Sequence, residues 1–329
     1  MSEVRVQMVT GPTLVSTFAG CGGSSLGYRW AGYRELLAID FDKNSVETFK
    51  LNFPEVPIWN KDIKTVSGSE ILKTCRLKKG GLDLLDGSPP CQGFSTAGRR
   101  QVNDPRNDLF QEFVRLIEEL APRVFVMENV SGMVKGRMKG CFIEITKTLK
   151  ALPYRVKCKL MDAKFYGVPQ SRQRLIWIGI RKDIGQDPTF PTPLRRVIPV
   201  KAALKGLPVD SSRTLNDLGL EVWKRCQPGD ALDRYHPKGF WFNGKKLHPD
   251  RPSLTIDKMV LPSGGGGLFH WQHPRCMNIA ELKRLSTFPD DFQFIGKFRE
   301  QWARIGNAVM PKFMEAIASH IRKTVLDQK

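Results

Sequence analysis

Long hydrophobic runs are missing from this chain of 329 residues. No stretch approaches the ~18 consecutive apolar residues of a membrane-spanning helix, and the N-terminus lacks the apolar core of a secretory signal. Cysteine is sparse: seven residues, odd in number, scattered and never in a C-x-x-C pair. That excludes a disulfide framework and a structural zinc site, and fits a reducing compartment. Histidine is scarcer still, with five residues and no H-E-x-x-H spacing, so no metal is expected. Acid is the last deficit, since 33 Asp and Glu face 52 Lys and Arg and leave a net charge of +19. The expectation is a soluble cytoplasmic protein with no membrane partner and a polyanionic one, nucleic acid first among them. The positive charge is spread along the chain, which describes a binding surface rather than a basic tail.

What is present alternates between strand and helix signals. Residues 13–18 (Thr-Leu-Val-Ser-Thr-Phe) read as a first strand, running into Ala19-Gly20-Cys21-Gly22-Gly23-Ser24-Ser25 and a helix with Leu26, Tyr28 and Trp30. A glycine-rich turn between strand and helix lets a ligand approach the backbone, although a purely structural turn would look the same. The third glycine of the G-x-G-x-x-G dinucleotide fingerprint is absent, since Ser25 stands in its place. A second strand ends at Asp40-Phe41, an acid placed for ribose hydroxyls beside a ring that could stack on a purine. Further polar strand ends follow at Asp62 and Asp86. Successive strands ending at polar residues on one edge describe a parallel sheet with its crevice at the carboxyl ends.

The run Leu82–Leu85 leads into Asp86-Gly87-Ser88-Pro89-Pro90-Cys91-Gln92. Two prolines stiffen the backbone ahead of Cys91, and the stretch alone leaves a nucleophile and an ordinary buried cysteine both open. The segment to Asn107 reads as a long, positively charged loop of the kind that closes over a substrate. Leu109, Phe110, Phe113, Leu116, Ile117 and Leu120 then mark the apolar face of a helix. A buried strand from 123 to 127 ends at Glu128, a candidate catalytic carboxylate or a helix cap. Ahead of the apolar strand 175–180, Arg172 and Arg174 alternate like strand residues and so share one face. From 187 to 275 proline and glycine rise, and isolated aromatics stand among cations. This predicts a smaller irregular β-rich domain that suits nucleic-acid contact. The final helix opens at Pro311, with Phe313, Met314, Ile317, Ile321 and Val325 on its apolar face.

Taken in order, Phe18–Gly23, Pro89–Gln92, Asp104-Pro105-Arg106, Glu128-Asn129-Val130, Gln170–Arg174, Phe288–Phe292 and Gly306–Val309 closely resemble the C5-cytosine DNA methyltransferases, in particular their compact bacterial restriction–modification members. The resemblance implies an α/β fold: a Rossmann-like S-adenosylmethionine-dependent sheet with helices on both faces, formed by residues 1–186 and 276–329. It makes 187–275 the target-recognition domain. It implies S-adenosylmethionine as cofactor, held by Phe18, Ala19, Gly20, Gly22, Gly23, Asp40, Phe41, Asp62, Ile63, Pro90, Leu109, Asn307 and Ala308. Cys91 would be the nucleophile, Glu128 would contact cytosine N3 and the amino group, and Arg174 the O2, with Arg172 close by. Ser95, Arg99, Arg100 and Arg106 are the expected DNA contacts. Double-stranded DNA would be the partner of a monomer, with any cognate restriction endonuclease acting separately.

The residue types suit that chemistry. Cytosine C5 is a poor nucleophile until a thiolate adds at C6, and that addition needs charge neutralised at N3, which a protonated or hydrogen-bonding Glu128 would supply. A base inside a duplex must also be flipped out to reach a crevice. Three alternatives stand beside this expectation: a tRNA cytosine methyltransferase, a nicotinamide oxidoreductase and an inactive DNA-binding regulator. The missing third glycine disfavours the oxidoreductase, and the joint presence of Cys91, Glu128 and Arg174 disfavours the regulator.

Overall fold

The computed structural model describes residues 11–90, 108–134, 139–209, 214–241, 244–260 and 267–328. Short runs rich in apolar and β-branched residues form the central strands: β1 (Thr13–Thr17), β2 (Arg34–Asp40), β3 (Ile58–Asn60), β4 (Leu84–Gly87), β5 (Val124–Val130), β6 (Tyr154–Asp162) and β7 (Gln173–Arg181). They make one seven-stranded sheet in the order β3-β2-β1-β4-β5-β7-β6. The first five are mutually parallel, whereas β7 is antiparallel to both β5 and β6. The sheet is therefore mixed, where strand-end polarity had suggested a parallel one. The link from β6 to β7, residues 163–172, carries no α-helix, and a parallel pair needs a long crossover.

Helices cover both faces, and strand alternation shows how. Val15, Phe125, Met127, Leu175 and Trp177 pack with α3 (Gly68–Cys75), α4 (Asp108–Leu120) and α5 (Lys139–Ala151). Their neighbours in sequence, Leu14, Val124, Val126, Ile176 and Ile178, point the opposite way. There they meet Tyr28 of α1 (Gly23–Trp30) and the C-terminal α10 (Pro311–Ile321). The helical faces expected from periodicity are buried: Phe113, Leu116, Ile117 and Leu120 in α4, and Phe313, Met314, Ile317 and Ile321 in α10.

A third apolar cluster gathers Val200, Val222, Leu232, Leu247, Ile256, Leu268 and Phe269 with Leu282 and Leu285 of α8 (Ile279–Leu285) and Trp302 and Ile305 of α9 (Phe298–Asn307). Its regular structure is slight: α6 (Val200–Ala203), α7 (Asp217–Arg225) and two parallel two-residue strands, β8 (Lys245–Lys246) and β9 (Leu268–Phe269). The β content of this region, among the described residues, is that ladder and a few isolated bridges.

The chain runs outward from β1 through β2 to β3, then returns to place β4 on the other side of β1. Ligands of such sheets bind outside the carboxyl ends where the order reverses. Here that point lies between β1 and β4, the strands that precede the glycine loop and Cys91.

Candidate active site

The β1–α1 loop is built for close approach. Phe18 has φ 54, a left-handed conformation rare for a bulky residue and a local strain of the kind held at ligand sites. Gly20 follows at φ 57, and a side chain there would meet open space rather than protein. The backbone is thus bare on the side facing the crevice. On the other side Gly23 packs so closely on 308–309 that an added Cβ would lie 2.2 Å from the Val309 carbonyl oxygen. This brings Ala308 and Val309, which follow Asn307, against the loop.

Asp40 ends β2 and ties the loop down. Its Oδ2 accepts from Gly20 N at 2.7 Å and its Oδ1 from Asp42 N at 2.8 Å. Burial raises its pKa, and those two backbone donors oppose the shift. Each oxygen keeps a second lone pair, so the carboxylate can still accept from a ligand hydroxyl. Phe41 beside it is 76% exposed, a bare ring at the crevice. Asn60 fastens this turn, donating Nδ2 to the Phe41 carbonyl at 2.8 Å; sequence reading had passed over it. Asp62 caps the next turn by accepting from Lys64 N, and Ile63 is buried below it. Leu109, at the start of α4, is half-buried against the core.

β4 and β5 bring the chemical groups. Glu128 lies near the end of β5, and Arg174 Nε reaches its Oε1 at 2.6 Å, both side chains almost wholly buried. Antiparallel pairing explains the meeting, because Glu128 and Val130 lie opposite Ile176 and Arg174. Asn129 also holds the turn after β4, its Nδ2 donating to the Pro89 carbonyl at 3.0 Å. Pro90 is exposed and is the last described residue before Cys91. Cys91, Ser95, Arg99, Arg100 and Arg106 lie outside the described residues.

Arg172, one residue ahead of β7, is 4% exposed, its Nη atoms donating to the Ile256 carbonyl at 2.8 Å and the Gly306 carbonyl at 2.6 Å, and it lies near enough to Arg174 and Glu128 to feel both charges. Burial, then the nearby Arg174, pulls its pKa down to about 9, which leaves it cationic at neutral pH. Asp86, expected among the polar strand ends of the crevice, is instead interior, accepting from the Tyr28 hydroxyl at 3.0 Å under α1. Burial lifts its pKa to about 8, with Glu35 and Glu128 adding to the rise.

Beyond Arg174 a pocket of about 510 Å³ opens between the sheet and the third cluster, within the ~300–1,000 Å³ usual for small-molecule sites. Ser131, Gln173, Arg174, Lys245, Asp257 and Met259 are among its walls. No group of three or more metal-ligating side chains and no helix able to cross a membrane occurs among the described residues.

A family model described as C-5 cytosine-specific DNA methylase matches residues 13–323. The chain is 35% identical to the Type II methyltransferase M1.HphI of Haemophilus parahaemolyticus, over 94% of this chain and 87% of the relative. It is 30% identical to the Type II methyltransferase M.NgoFVII of Neisseria gonorrhoeae, over 94% and 86%. A prophage-encoded protein of E. coli, described as a DNA modification methyltransferase, has the same fold at a TM-score of 0.80 and 24% identity, over 97% of this chain and 100% of that one. A DNMT2 variant of Spodoptera frugiperda aligns at 0.70 and 19% identity, over 95% and 99%.

Proposed function

The chain belongs to the C-5 cytosine-specific DNA methylase family, and on that premise we propose that it moves the methyl group of S-adenosylmethionine to carbon 5 of a cytosine turned out of duplex DNA, through a bond between Cys91 and carbon 6. One observation carries the reading: the bare glycine loop, the Asn129-held turn before Cys91 and the Glu128–Arg174 pair converge at the carboxyl ends of β1, β4 and β5.

The crevice fits the cofactor. The unobstructed backbone at Gly20 can take the methionine portion, Asp40 the ribose hydroxyls, and the bare Phe41 ring the adenine face, with Asp62 and Ile63 at its edge. Pro90, Leu109, Asn307 and Ala308 would close this pocket. When bound, S-adenosylmethionine supplies an electrophilic methyl group.

The remaining steps belong to the chain's own residues. Cys91 adds as a thiolate to carbon 6, and a free thiol near pKa ~8.5 is only a few per cent ionised at neutral pH, so the site must favour the anion. Charge then develops toward cytosine N3. Glu128 would hold N3 and the amino group through Oε2, which has no partner among the described residues, since Arg174 Nε already meets Oε1. Arg174 in turn offers its other N–H groups to the O2. Arg172 acts one step back, as a positioning residue. Loss of the C5 proton then expels the thiolate and returns the enzyme.

Residues 187–275 are proposed as the target-recognition domain, with 1–186 and 276–329 as the catalytic part. The charge of +19 would bind phosphate, which makes binding strongly salt-dependent. We take it to act as a cytoplasmic monomer, and the Type II names of its relatives support a modification role beside a cognate endonuclease that acts separately.

The test is direct. The protein is incubated with S-adenosylmethionine and unmodified duplex DNA or, in parallel, tRNA, and 5-methylcytosine is mapped by bisulfite sequencing. Methylation of one DNA word, lost in Cys91→Ser while cofactor binding persists, is expected. Transfer to tRNA alone, or robust turnover by Cys91→Ser, would overturn it.

A further inference from the structure

One exposed acid stands where a polyanion-binding protein should tolerate none. Asp257 lines the same pocket as Arg174 and Lys245. Its carboxylate makes no hydrogen bond or ion pair among the described residues, although Arg172 lies near enough to feel its charge. In a chain of net charge +19, a carboxylate facing the phosphate backbone would subtract from binding.

The backbone that carries this acid is fixed from several sides. Ser253 N donates to the Pro169 carbonyl, and Ser171 N to the Ser253 carbonyl, each at 2.8 Å. Ile256 N donates to Gln170 Oε1 at 3.1 Å, and the Ile256 carbonyl accepts from Arg172. The Asp257 carbonyl accepts from the Trp302 indole at 2.8 Å. α9 then presses on it from behind: a Cβ added at Gly306 would lie 2.6 Å from that carbonyl oxygen and 2.8 Å from Lys258 Cα. Main-chain groups are spent inward, while the Asp257, Lys258 and Met259 side chains are exposed. A rigid main chain with free side chains is what base reading requires.

We propose that Asp257 is a specificity-determining residue that reads a cytosine next to the target base, accepting a hydrogen bond from its N4 amino group in the major groove. The inference rests on the reading of the pocket as the DNA-facing side of a cytosine methyltransferase. An ionised carboxylate only accepts, so its partner must be a donor. Among base edges in the major groove only cytosine N4 and adenine N6 qualify. Adenine sets its N7 lone pair beside N6, which repels a carboxylate, whereas cytosine presents carbon there. A phosphate is excluded by charge.

The experiment uses the full chain and a duplex library randomised around the methylated cytosine, read by bisulfite sequencing. The wild type is expected to demand cytosine at one neighbouring position. Asp257→Ala relaxes that demand by about 5- to 150-fold, the range of a single good base contact, while the rest of the word is kept. Asp257→Asn, of equal volume, moves the preference toward adenine, which an amide matches at N6 and N7. Both variants bind unrelated DNA more tightly at low salt. Should either variant lose methyl transfer, equilibrium competition between duplexes differing at that position gives the same comparison, and Asp257→Asn alone decides if Asp257→Ala does not fold. An unchanged word in the variants, or a wild type indifferent to its neighbours, overturns the inference. A wild type that methylates no DNA overturns the underlying reading instead.

Discussion

Asn129→Ala separates the positioning of Cys91 from its chemistry. The Asn129 side chain is 5% exposed and its amide bridges β5 to the Pro89 carbonyl at 3.0 Å, two residues before Cys91. Alanine deletes that donor and leaves a buried carbonyl without a partner, a loss of about 1–3 kcal/mol beyond the hydrogen bond's own ~1 kcal/mol. With about 2.1 cal/mol/K of unfolding entropy per residue, a total near 2–4 kcal/mol lowers Tm by roughly 3–6 °C in a chain of this length. Asn129→Asp is sterically neutral but turns an acceptor toward Pro89 O, so it should cost at least as much. The rate effect is larger than the stability effect. A misplacement of ~1 Å at a reacting atom can cost ~100-fold, and the released turn leads into Cys91, the proposed nucleophile. Differential scanning fluorimetry, single-turnover methylation and cofactor titration, run on the same preparations, read the three quantities. A single-turnover rate within threefold of wild type would refute the claim that this bond positions the thiol. A proportionate loss of cofactor affinity would mean the whole crevice had collapsed.

Arg174→Ala should lower the rate of methyl transfer about 100- to 1,000-fold, as removal of a single transition-state donor does elsewhere, together with a fall in Tm from stranding the buried Glu128 carboxylate; a single-turnover rate near wild type in the folded variant would make its role structural only. Asp40→Ala should weaken S-adenosylmethionine about 10- to 100-fold, the worth of a charge-assisted hydrogen bond, and leave DNA affinity nearly unchanged by calorimetry; equal losses would count against a ribose contact. Asp86 carries a pH signature: its folded pKa, near 8, lies above the ordinary carboxylate value, so the native state holds a proton that the unfolded chain has released. Its contribution to stability is therefore full in acid and is lost as pH rises through about 8, with a slope of up to ~1.4 kcal/mol per pH unit. Asp86→Asn should flatten that part of the Tm-versus-pH curve, and an unaltered slope between pH 5 and 8 would sink the assignment.

Much of the framework was legible because it follows from chain-local physics. The apolar faces of α4 and α10 follow from helical spacing alone, and their side chains are buried as that spacing requires. The glycine loop was legible because a left-handed backbone at Gly20 and Gly22 leaves few alternatives to glycine. What was not legible depended on contacts distant in sequence. Parity set Arg172 beside Arg174, but nothing local pointed to the carbonyls 84 and 134 positions away that hold Arg172. Asp86 was misplaced for a similar reason, since only folding brings Tyr28 to it across 58 residues. The direction of β7 had a signal that went unused: a link without a helix cannot close a parallel pair.

Arg172 also ties the segment that carries Asp257 to the neighbourhood of the Glu128–Arg174 pair. Its guanidinium holds the Ile256 carbonyl on one side and the Gly306 carbonyl on the other, and Gly306 itself presses on Asp257 and Lys258. Two residues along the chain from it, Arg174 holds Glu128. A displacement of the 253–258 segment by a mismatched duplex therefore cannot stay local, because interiors packed this closely transmit strain. It would reach the Glu128–Arg174 pair through a single buried side chain whose own Nε has no partner among the described residues. On this argument a wrong neighbouring base should slow methyl transfer more than it weakens binding, and Arg172 is the residue through which that difference would pass.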